Sequence, residues 1–451
     1  MQTNTIFANA VLTANGWVKD ARLRLENGRI AAVDAGMAAQ AGDERHDILV
    51  PGMPNLHSHA FQRAMAGLAE MRGPGDDSFW SWRSVMYNFA LSMTPEQVEA
   101  VAAQLYLEML EAGFTRVGEF HYLHHDKNGQ PYTNPAEMGE RIAAAAGKTG
   151  LKMTLLPVFY AHSGFGGSAP NEGQRRFVSS VDLYRRVFEG AEKAVANLPD
   201  SVVGIAPHSL RAATPDELTQ ILPLAAERPI HIHIAEQVKE VEDCIAWSGK
   251  RPVEWLLENQ PVDSRWCLIH ATHMLPQETL GMAKAGAIAG LCPITEANLG
   301  DGIFPGVEFL SAGGRYGVGS DQNVLIGVSD ELRQLEYSLR LATRSRNVAA
   351  QPNQSTGRAL FDGALAGGAV ALGAKSGIAV GLAADFVSLN RARAPYLKDD
   401  AVLDGWIFAG NVIPDCVWVH GVKQVEGGRH VRRERIEQRF LAAMKQLTDT
   451  L

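Results

Sequence analysis

Residues 51–59 read PGMPNLHSH, a Pro-Gly breaker followed by a short apolar run that ends in two histidines. From this point the sequence repeats apolar, strand-like runs followed by helical ones. Such alternation is typical of strand–helix units that build a parallel sheet. Eight candidate strands can be counted, near residues 53–57, 115–122, 152–160, 202–207, 230–235, 267–271, 288–291 and 316–320.

Eight units of this kind match a (β/α)8 barrel, which typically needs about 250 residues. The sequence therefore predicts an α/β fold with a TIM barrel over residues 51–374, while a doubly wound sheet is the competing layout. Helix starts are marked by Thr94-Pro95-Glu96 and by Thr214-Pro215-Asp216-Glu217. Two long loops, at residues 60–93 and 161–177, are expected to rise over the catalytic face.

The segments outside the barrel read as short strands. Residues 1–50 contain Asn27-Gly28 between two alternating runs, which indicates a β-hairpin. Strand-like runs return at residues 385–389 and 416–425, so residues 1–50 and 375–430 are expected to form one small composite β-sheet domain. Residues 431–451 are typical of a polar C-terminal helix.

Composition excludes several classes of protein. The chain has 451 residues, 46% of them hydrophobic, and 42 Lys+Arg against 50 Asp+Glu give a net charge of −8. A disordered or polybasic protein is excluded, and neither a nucleic acid nor a membrane is expected as a partner. Four cysteines without a CxxC pair, and a start that lacks the pattern of a signal peptide, favour the cytoplasm.

Histidines stand at or just beyond the ends of the predicted strands. The catalytic groups of a barrel come from these ends. His57 and His59 are two residues apart, so on a strand they point to the same, inward face and can hold one metal ion. Asp321 leaves a buried, Gly-rich strand and needs a partner, because a buried unpaired charge is costly. The histidines at these ends are His57, His59, His121, His208, His231, His233, His270 and His273.

Five motifs, PGMPNLHSH, HIHIAE, CLIHATHM, GVGSDQN and GIAVGLAADFVSLN, resemble the amidohydrolase superfamily, in particular its deaminase branch with a single metal. The resemblance covers nearly the whole chain. It implies one divalent metal per chain, Zn²⁺ or alternatively Fe²⁺. The fourth predicted strand ends without a lysine, which argues against the two-metal branch. The implied ligands are His57, His59, His233 and Asp321, with His231 expected to be structural.

The same resemblance implies the chemistry. A divalent metal activates a water molecule for attack on a carbon that bears nitrogen, and Asp321 accepts the proton. Glu236, three residues after His233, is expected to carry that proton to the departing ammonia. His270 is expected to polarise or hydrogen-bond the group under attack. His273 is left open between a supporting role near the site and a structural one.

Two arginines point to the substrate. Guanidinium groups bind carboxylates through paired hydrogen bonds, so Arg83 and Arg211 suggest a small molecule with two carboxylates, although either could be a rim residue. The segments HSHAFQRAMAG, FWSWR, EFHYLHH and PHSLRA resemble the formimidoylglutamate deiminase family. This resemblance implies deimination of N-formimidoyl-L-glutamate in histidine degradation and adds Gln62, Tyr122 and His208 as substrate contacts.

Relatives of this kind are usually homodimers, so a homodimer is expected here. Two rival functions stay open. One is a deaminase or chlorohydrolase of the same branch that acts on a heterocycle such as guanine, and the other is a non-catalytic scaffold protein. The scaffold should have lost ligands, whereas all the implied ones are present.

Overall fold

The computed structural model describes residues 4–73 and 79–449 and orders them as a closed barrel beside one separate sheet. The predicted fold class, a TIM barrel with a composite sheet from both chain ends, is confirmed. The strands are β1 (Asn4–Thr13), β2 (Gly16–Glu26), β3 (Arg29–Asp34), β4 (Glu44–Pro51), β5 (Met53–Ser58), β6 (Phe114–His121), β7 (Lys152–Phe159), β8 (Val202–Val203), β9 (Ala206–Pro207), β10 (Ile230–Ile234), β11 (Trp266–His270), β12 (Ile288–Leu291), β13 (Arg315–Val318), β14 (Phe386–Asn390), β15 (Ile413–Val419), β16 (Val422–Glu426) and β17 (Arg429–His430).

The helices surround the barrel and cover its rims. Capping boxes begin the two that the sequence marked, with Thr94 accepting from Gln97 and Thr214 accepting from Glu217. The helices are α1 (Phe79–Ser92), α2 (Pro95–Glu111), α3 (Glu137–Thr149), α4 (Val181–Val195), α5 (Pro215–Ile221), α6 (Val238–Ser248), α7 (Pro252–Asn259), α8 (Pro276–Ala285), α9 (Pro293–Leu299), α10 (Gly306–Ser311), α11 (Val328–Thr343), α12 (Thr356–Ala371), α13 (Asp400–Asp404) and α14 (Arg433–Thr448).

The composite sheet has the order β17-β16-β15-β14-β4-β1-β2-β3. Strand β4 pairs parallel with β1 and antiparallel with β14, so it joins the two halves of the sheet. The turn between β2 and β3 places Asn27 at φ 51° and Gly28 at φ 77°, as a tight hairpin turn of this kind requires. The domain boundaries given above stay a prediction.

The barrel is built from two runs of parallel strands. Strands β5 to β9 form one run and β10 to β13 the other. Single bridges join Ile205 to Ile230 and Ser209 to His233, and a bridge between Ser58 and Asp321 closes the circle. This closure excludes the doubly wound sheet.

The fourth barrel position is shared by β8 and β9, where the sequence predicted one strand over 202–207. The chain changes hydrogen-bond partner within it, since Gly204 donates to Leu155 of β7 and Ile205 donates to Pro229 beside β10. A Cβ on Gly204 would lie 2.6 Å from the Pro229 carbonyl oxygen, so a side chain does not fit at the crossing.

The first long loop is not a loop throughout, which corrects the prediction for residues 60–93. It contains a 3₁₀ helix, Ala60–Met65, and helix α1. The second, residues 161–177, is irregular apart from a 3₁₀ turn at Glu172–Gln174. Arg176 of this second loop is fully buried and donates to the carbonyls of Ala90, Met93 and His125. The end of the α1 segment is therefore tied to the second loop.

Within the described residues, no helix is long and apolar enough to cross a membrane. The four cysteines are free and buried.

Candidate active site

Four side chains converge at the carboxyl end of the barrel, from β5, β10 and the turn after β13. His57 Nε2 lies 3.2 Å from His59 Nε2 and 3.0 Å from His233 Nε2. Asp321 Oδ1 lies 3.4 Å from His57 Nε2 and 3.1 Å from His59 Nε2. The structure thus brings the four predicted ligands together, with all four donor atoms within 4.8 Å of one another.

This cluster fits a divalent metal. His59 Nδ1 lies 2.9 Å from the Phe120 carbonyl oxygen, and His233 Nδ1 lies 3.1 Å from that of His208. Each Nδ1–H therefore donates outward, which leaves the Nε2 lone pairs facing the cluster. Burial lowers the pKa of His57 to about 3, so this imidazole is neutral. Ligands about 2.0–2.1 Å from a tetrahedral ion are about 3.3 Å apart, close to the spacings here.

Buried polar side chains hold the seam at which the cluster forms. Asn323, at φ 60°, donates from Nδ2 to the carbonyl oxygens of His59 and Asp321. Its Oδ1 accepts from Ser320, whose hydroxyl accepts in turn from Asn55. These residues fix strand β5 against the end of β13. Asn323 ends the SDQN motif but was not predicted as a site residue, because a lone Asn carries no signal until its position beside the ligands is known.

Glu236 and His270 lie next to the cluster and outside it. His270 Nε2 is 3.9 Å from Glu236 Oε1 and 3.8 Å from Asp321 Oδ2, and its Nδ1 is 3.4 Å from Glu296 Oε1. Burial raises the pKa of Glu236. Burial alone would lower the pKa of His270, but the carboxylates of Glu236, Glu296 and Asp321 together raise it to about 10. Proton-carrying groups thus stand beside the metal-type cluster.

The backbone before Glu236 is held by Glu240 of α6. Its carboxylate accepts from the N–H groups of Ala235 and Glu236, each at 3.2 Å. Ala235 has φ 51°, an unfavourable conformation for a residue with a side chain. Glu240 is 1% exposed, so this clamp is shielded from water and places Glu236 at the site.

A cavity lies above the cluster and opens to solvent. All five predicted substrate contacts line it, with Glu236, His270 and three of the four predicted metal ligands. Gln62 donates to the Tyr122 hydroxyl at 2.8 Å. The predicted contacts are Gln62, Arg83, Tyr122, His208 and Arg211.

The two arginines approach the cavity from different elements. Arg83 lies on α1, with its guanidinium over the rings of Trp80 and Tyr87 and 3.3 Å from the Tyr160 hydroxyl. Arg211 follows β9, and among the described residues no carboxylate forms an ion pair with either guanidinium. Burial would lower the pKa of Arg211, but Glu240 and Glu236 outweigh it and raise that pKa, which keeps the group charged.

Three buried polar atoms of the cavity wall have no hydrogen-bond partner among the residues that the structure describes. They are Gln62 Oε1, Tyr87 Oη and Arg211 Nε. A buried polar atom without a partner costs free energy, which a ligand that bonds to it recovers. The wall therefore offers acceptor and donor positions to a polar ligand.

Other histidines of the strand ends do not join the cluster. His231 lies deeper, and its Nε2 donates to the Ala371 carbonyl at 2.7 Å. His273 Nε2 donates to the Asp301 carbonyl at 2.8 Å, which ties the loop after β11 to the loop after α9. Burial, with Arg211 and Arg83 nearby, lowers the pKa of His208 well below its usual value.

Tyr87, Tyr160 and Phe177 also line the cavity and were not among the predicted contacts. Tyr160 ends the third predicted strand, so its position carried the same signal as that of the histidines. Tyr87 and Phe177 belong to the two long segments expected over the catalytic face, but no local pattern predicts which side chains of those segments reach the cavity.

Two family patterns match the chain. "Amidohydrolase family" matches residues 48–422, and "Formimidoylglutamate deiminase HutF, N-terminal domain" matches residues 3–47. The formimidoylglutamate deiminase of Pseudomonas aeruginosa is 48% identical over 455 residues, which cover 99% of this chain and 100% of that protein.

Two further proteins are similar over most of their length. The crystal structure of an amidohydrolase from Brucella melitensis has a TM-score of 0.97 and 61% identity, covering 99% of this chain and 100% of that chain. A 5-methylthioadenosine/S-adenosylhomocysteine deaminase of Natronomonas pharaonis is 28% identical, covering 88% of this chain and 86% of that protein.

Proposed function

The chain belongs to the amidohydrolase family, and on that basis we propose that it hydrolyses N-formimidoyl-L-glutamate to N-formyl-L-glutamate and ammonia. This activity is that of the Pseudomonas relative, which matches the chain from end to end. The observation that carries the proposal is the pair of guanidinium groups, Arg83 and Arg211, in one cavity above a metal-type cluster.

The substrate has the groups that this cavity lacks. Its two carboxylates supply the ion-pair partners that Arg83 and Arg211 do not have within the described chain. Charge-assisted bonds of this kind are about twice as strong as neutral ones. Its formimidoyl N–H groups are donors of the kind that the unpartnered Gln62 Oε1 accepts. Tyr122 orients Gln62, and the neutral His208 forms the wall between them and Arg211.

A metal ion is needed for the reaction. We propose one Zn²⁺ per chain, with Fe²⁺ as the alternative, held by His57, His59, His233 and Asp321, since three imidazoles and a carboxylate suit these ions. When bound, the ion lowers the pKa of a water molecule towards about 7 and so supplies a nucleophile near neutral pH.

The side chains beside the cluster move the protons. Asp321 keeps Oδ2 free of the two histidines that face its Oδ1, so this oxygen can accept a proton from the attacking water. Glu236 takes up that proton from Asp321 and delivers it to the departing nitrogen, a task helped by the raised pKa of its buried carboxyl group. His270 donates from Nε2 to the group under attack, and Glu296 fixes its ring from the other side.

The proposal is tested by ammonia release from a panel of purified substrates. The panel contains N-formimidoyl-L-glutamate, N-formimidoyl-L-aspartate, guanine, cytosine and S-adenosylhomocysteine. We expect the first to give the highest kcat/KM by at least about a hundredfold over the heterocycles, because guanine and cytosine leave both arginines unpaired and S-adenosylhomocysteine, with a single carboxylate, leaves one unpaired. Preferential turnover of a heterocycle would replace this function with that of a ring deaminase.

Both rivals lack support at the site. A deaminase of an uncharged ring such as guanine has no substrate carboxylates to occupy two guanidinium groups in its pocket. A scaffold protein has no reason to keep the whole set of metal-binding and proton-carrying side chains in contact.

We also propose that the enzyme acts as a homodimer in the cytoplasm. Four free, buried cysteines suit a reducing compartment. Sedimentation velocity of the purified chain tests the dimer, and a monomer at micromolar concentration would contradict it.

A further inference from the structure

Tyr160 stands one residue beyond β7, with its hydroxyl between two donors. Gln174 Nε2 lies 2.6 Å from the Tyr160 oxygen, and a guanidinium nitrogen of Arg83 lies 3.3 Å from it. Gln174 is fully buried, and Tyr160 is only 4% exposed. The phenol is thus held in place at the cavity wall that it shares with Arg83.

The direction of both hydrogen bonds follows from the surroundings. A guanidinium group donates and cannot accept. The amide of Gln174 cannot be turned around, because its Oε1 accepts from the backbone N–H of Asn171 at 2.9 Å. The Tyr160 oxygen therefore accepts both bonds, and neither neighbour takes its proton.

No acceptor for the Tyr160 proton is found within residues 4–73 and 79–449. The O–H can therefore serve a ligand in the cavity. Any group that binds beside it also meets Arg83, so the ligand group at this point is negatively charged and accepts hydrogen bonds. A carboxylate has both properties.

We propose that Tyr160 is a specificity-determining residue, whose hydroxyl donates to the same carboxylate that Arg83 binds, and that Gln174 is its positioning residue. This inference rests on the proposed function and adds a third donor to the carboxylate site. It also gives the second long loop a role, since Gln174 belongs to that loop and Gly173 beside it packs against the Tyr87 ring of α1.

The first test is Tyr160→Phe, which removes the hydroxyl and keeps the ring. We expect KM for N-formimidoyl-L-glutamate to rise about ten- to a hundredfold, the effect of losing one hydrogen bond to a charged group, while kcat changes less than threefold. The matched control is Tyr184→Phe, because Tyr184 of α4 is also fully buried and donates its hydroxyl to the Pro157 carbonyl away from the cavity. This control should keep the KM of the unaltered enzyme.

Substrate analogues show which group Tyr160 binds. N-formimidoyl-4-aminobutyrate lacks the α-carboxylate, and N-formimidoyl-2-aminobutyrate lacks the side-chain carboxylate. With the analogue that lacks the carboxylate bound by Arg83, the KM penalties of Arg83→Met and Tyr160→Phe should both disappear. If they disappear with different analogues, the two residues do not share a carboxylate and the inference fails.

The role of Gln174 is tested by a double-mutant cycle. Gln174→Leu should raise KM less than Tyr160→Phe does, and the double variant should be no worse than Tyr160→Phe alone, because Gln174 acts only through the hydroxyl. Additive effects would refute the positioning role. Thermal unfolding of each variant and calorimetric binding of N-formyl-L-glutamate provide a readout that does not depend on turnover.

The outcomes separate the two proposals. An unaltered enzyme that fails to release ammonia from N-formimidoyl-L-glutamate refutes the proposed function. An active enzyme whose Tyr160→Phe variant is folded and keeps a normal KM refutes only the role of Tyr160.

Discussion

The Nε atom of Arg211 is buried, and no described residue accepts a hydrogen bond from it. Replacing Arg211 or Arg83 by Met keeps the bulk of the side chain and leaves one substrate carboxylate without its cation. We expect kcat/KM for N-formimidoyl-L-glutamate to fall, and the fall should correspond to a loss of about 2–5 kcal/mol of transition-state binding. A neutral formamidine should be a poor substrate for every form of the enzyme and should show no such penalty. Steady-state kinetics with both substrates make the comparison, and equal penalties on both would mean that the arginines support the fold instead.

Glu236 and Asp321 are both carboxylates beside the same histidines, yet they should respond differently to loss of charge. Asp321→Asn weakens the ligand set and should lose metal and activity together, as should His233→Ala. Glu236→Gln removes a proton carrier and should keep its metal while kcat falls about 10²–10⁴-fold. Metal content by elemental analysis, measured with turnover, separates the two cases. An Asp321→Asn chain with full metal and normal kcat would contradict the ligand assignment.

Much of this site follows from position along the chain. Parallel barrel strands end at one rim, so the strand-end residues His57, His233 and Asp321 had to be neighbours once eight strands were recognised. Tyr87 and Gln174 could not be predicted as site residues, because their positions depend on how the two segments that cover the cavity pack on each other. That packing depends on contacts such as Arg176 with the carbonyls after α1, which leave no periodic trace in sequence.

Hydrophobic periodicity was sufficient to find the barrel strands, and helix caps were sufficient to find the starts of α2 and α5. The two failures have physical causes. Helix α1 has weak amphipathic character in an aromatic stretch, so it was taken for a loop. The single strand predicted over residues 202–207 is two strands, β8 and β9, because the chain changes its partner strand at Gly204.

His231 ties strand β10 to the end of α12 through the Ala371 carbonyl, and burial lowers its pKa to about 4. In the unfolded chain a histidine titrates near 6.5. Below about pH 6.5 the unfolded chain therefore binds a proton that the folded chain, with a neutral His231, does not bind. The neutral His231 thus costs the folded state no stability above that pH, and the protein loses stability as the pH falls from about 6.5 towards 4.

For His231→Gln, which keeps a donor for Ala371, we expect a weaker pH dependence of unfolding. Between pH 6.5 and 4, the free energy of unfolding of this variant should fall less steeply than that of the unaltered chain. The two slopes should differ by up to about 1.4 kcal/mol per pH unit. Urea unfolding at a series of pH values measures the two slopes. Parallel slopes would show that His231 does not stay neutral in the folded protein.

A partly buried ion cluster joins the barrel to the composite sheet. Lys152 begins β7, and its ammonium group lies 2.8 Å from both Asp200 and Asp385, the residue that precedes β14. The lysine side chain is only 2% exposed. The cluster lies at the amino ends of the strands, opposite the cavity.

Lys152→Met should destabilise the protein by about 1–3 kcal/mol, because Asp385 loses its ammonium partner while Asp200 keeps its partly exposed pair with Arg29. The double variant Lys152→Met/Asp385→Asn removes one of these charges and should recover part of the loss. Metal content should stay unchanged in both, given the distance from the ligands. Chemical unfolding measures the effect, and a single variant as stable as the unaltered chain would show that the cluster does not join the two parts.

The placement of β4 between β1 and β14 has a consequence for synthesis on the ribosome. Strands β1 to β4 leave the exit tunnel early, but the partner of β4 starts only at Phe386. At about 5–20 residues per second, the free side of β4 waits on the order of tens of seconds. An unpaired strand edge invites pairing with other chains. Nascent chains are therefore most vulnerable to aggregation during this interval, and a chaperone that shields β4 should raise the yield of folded enzyme without touching the barrel.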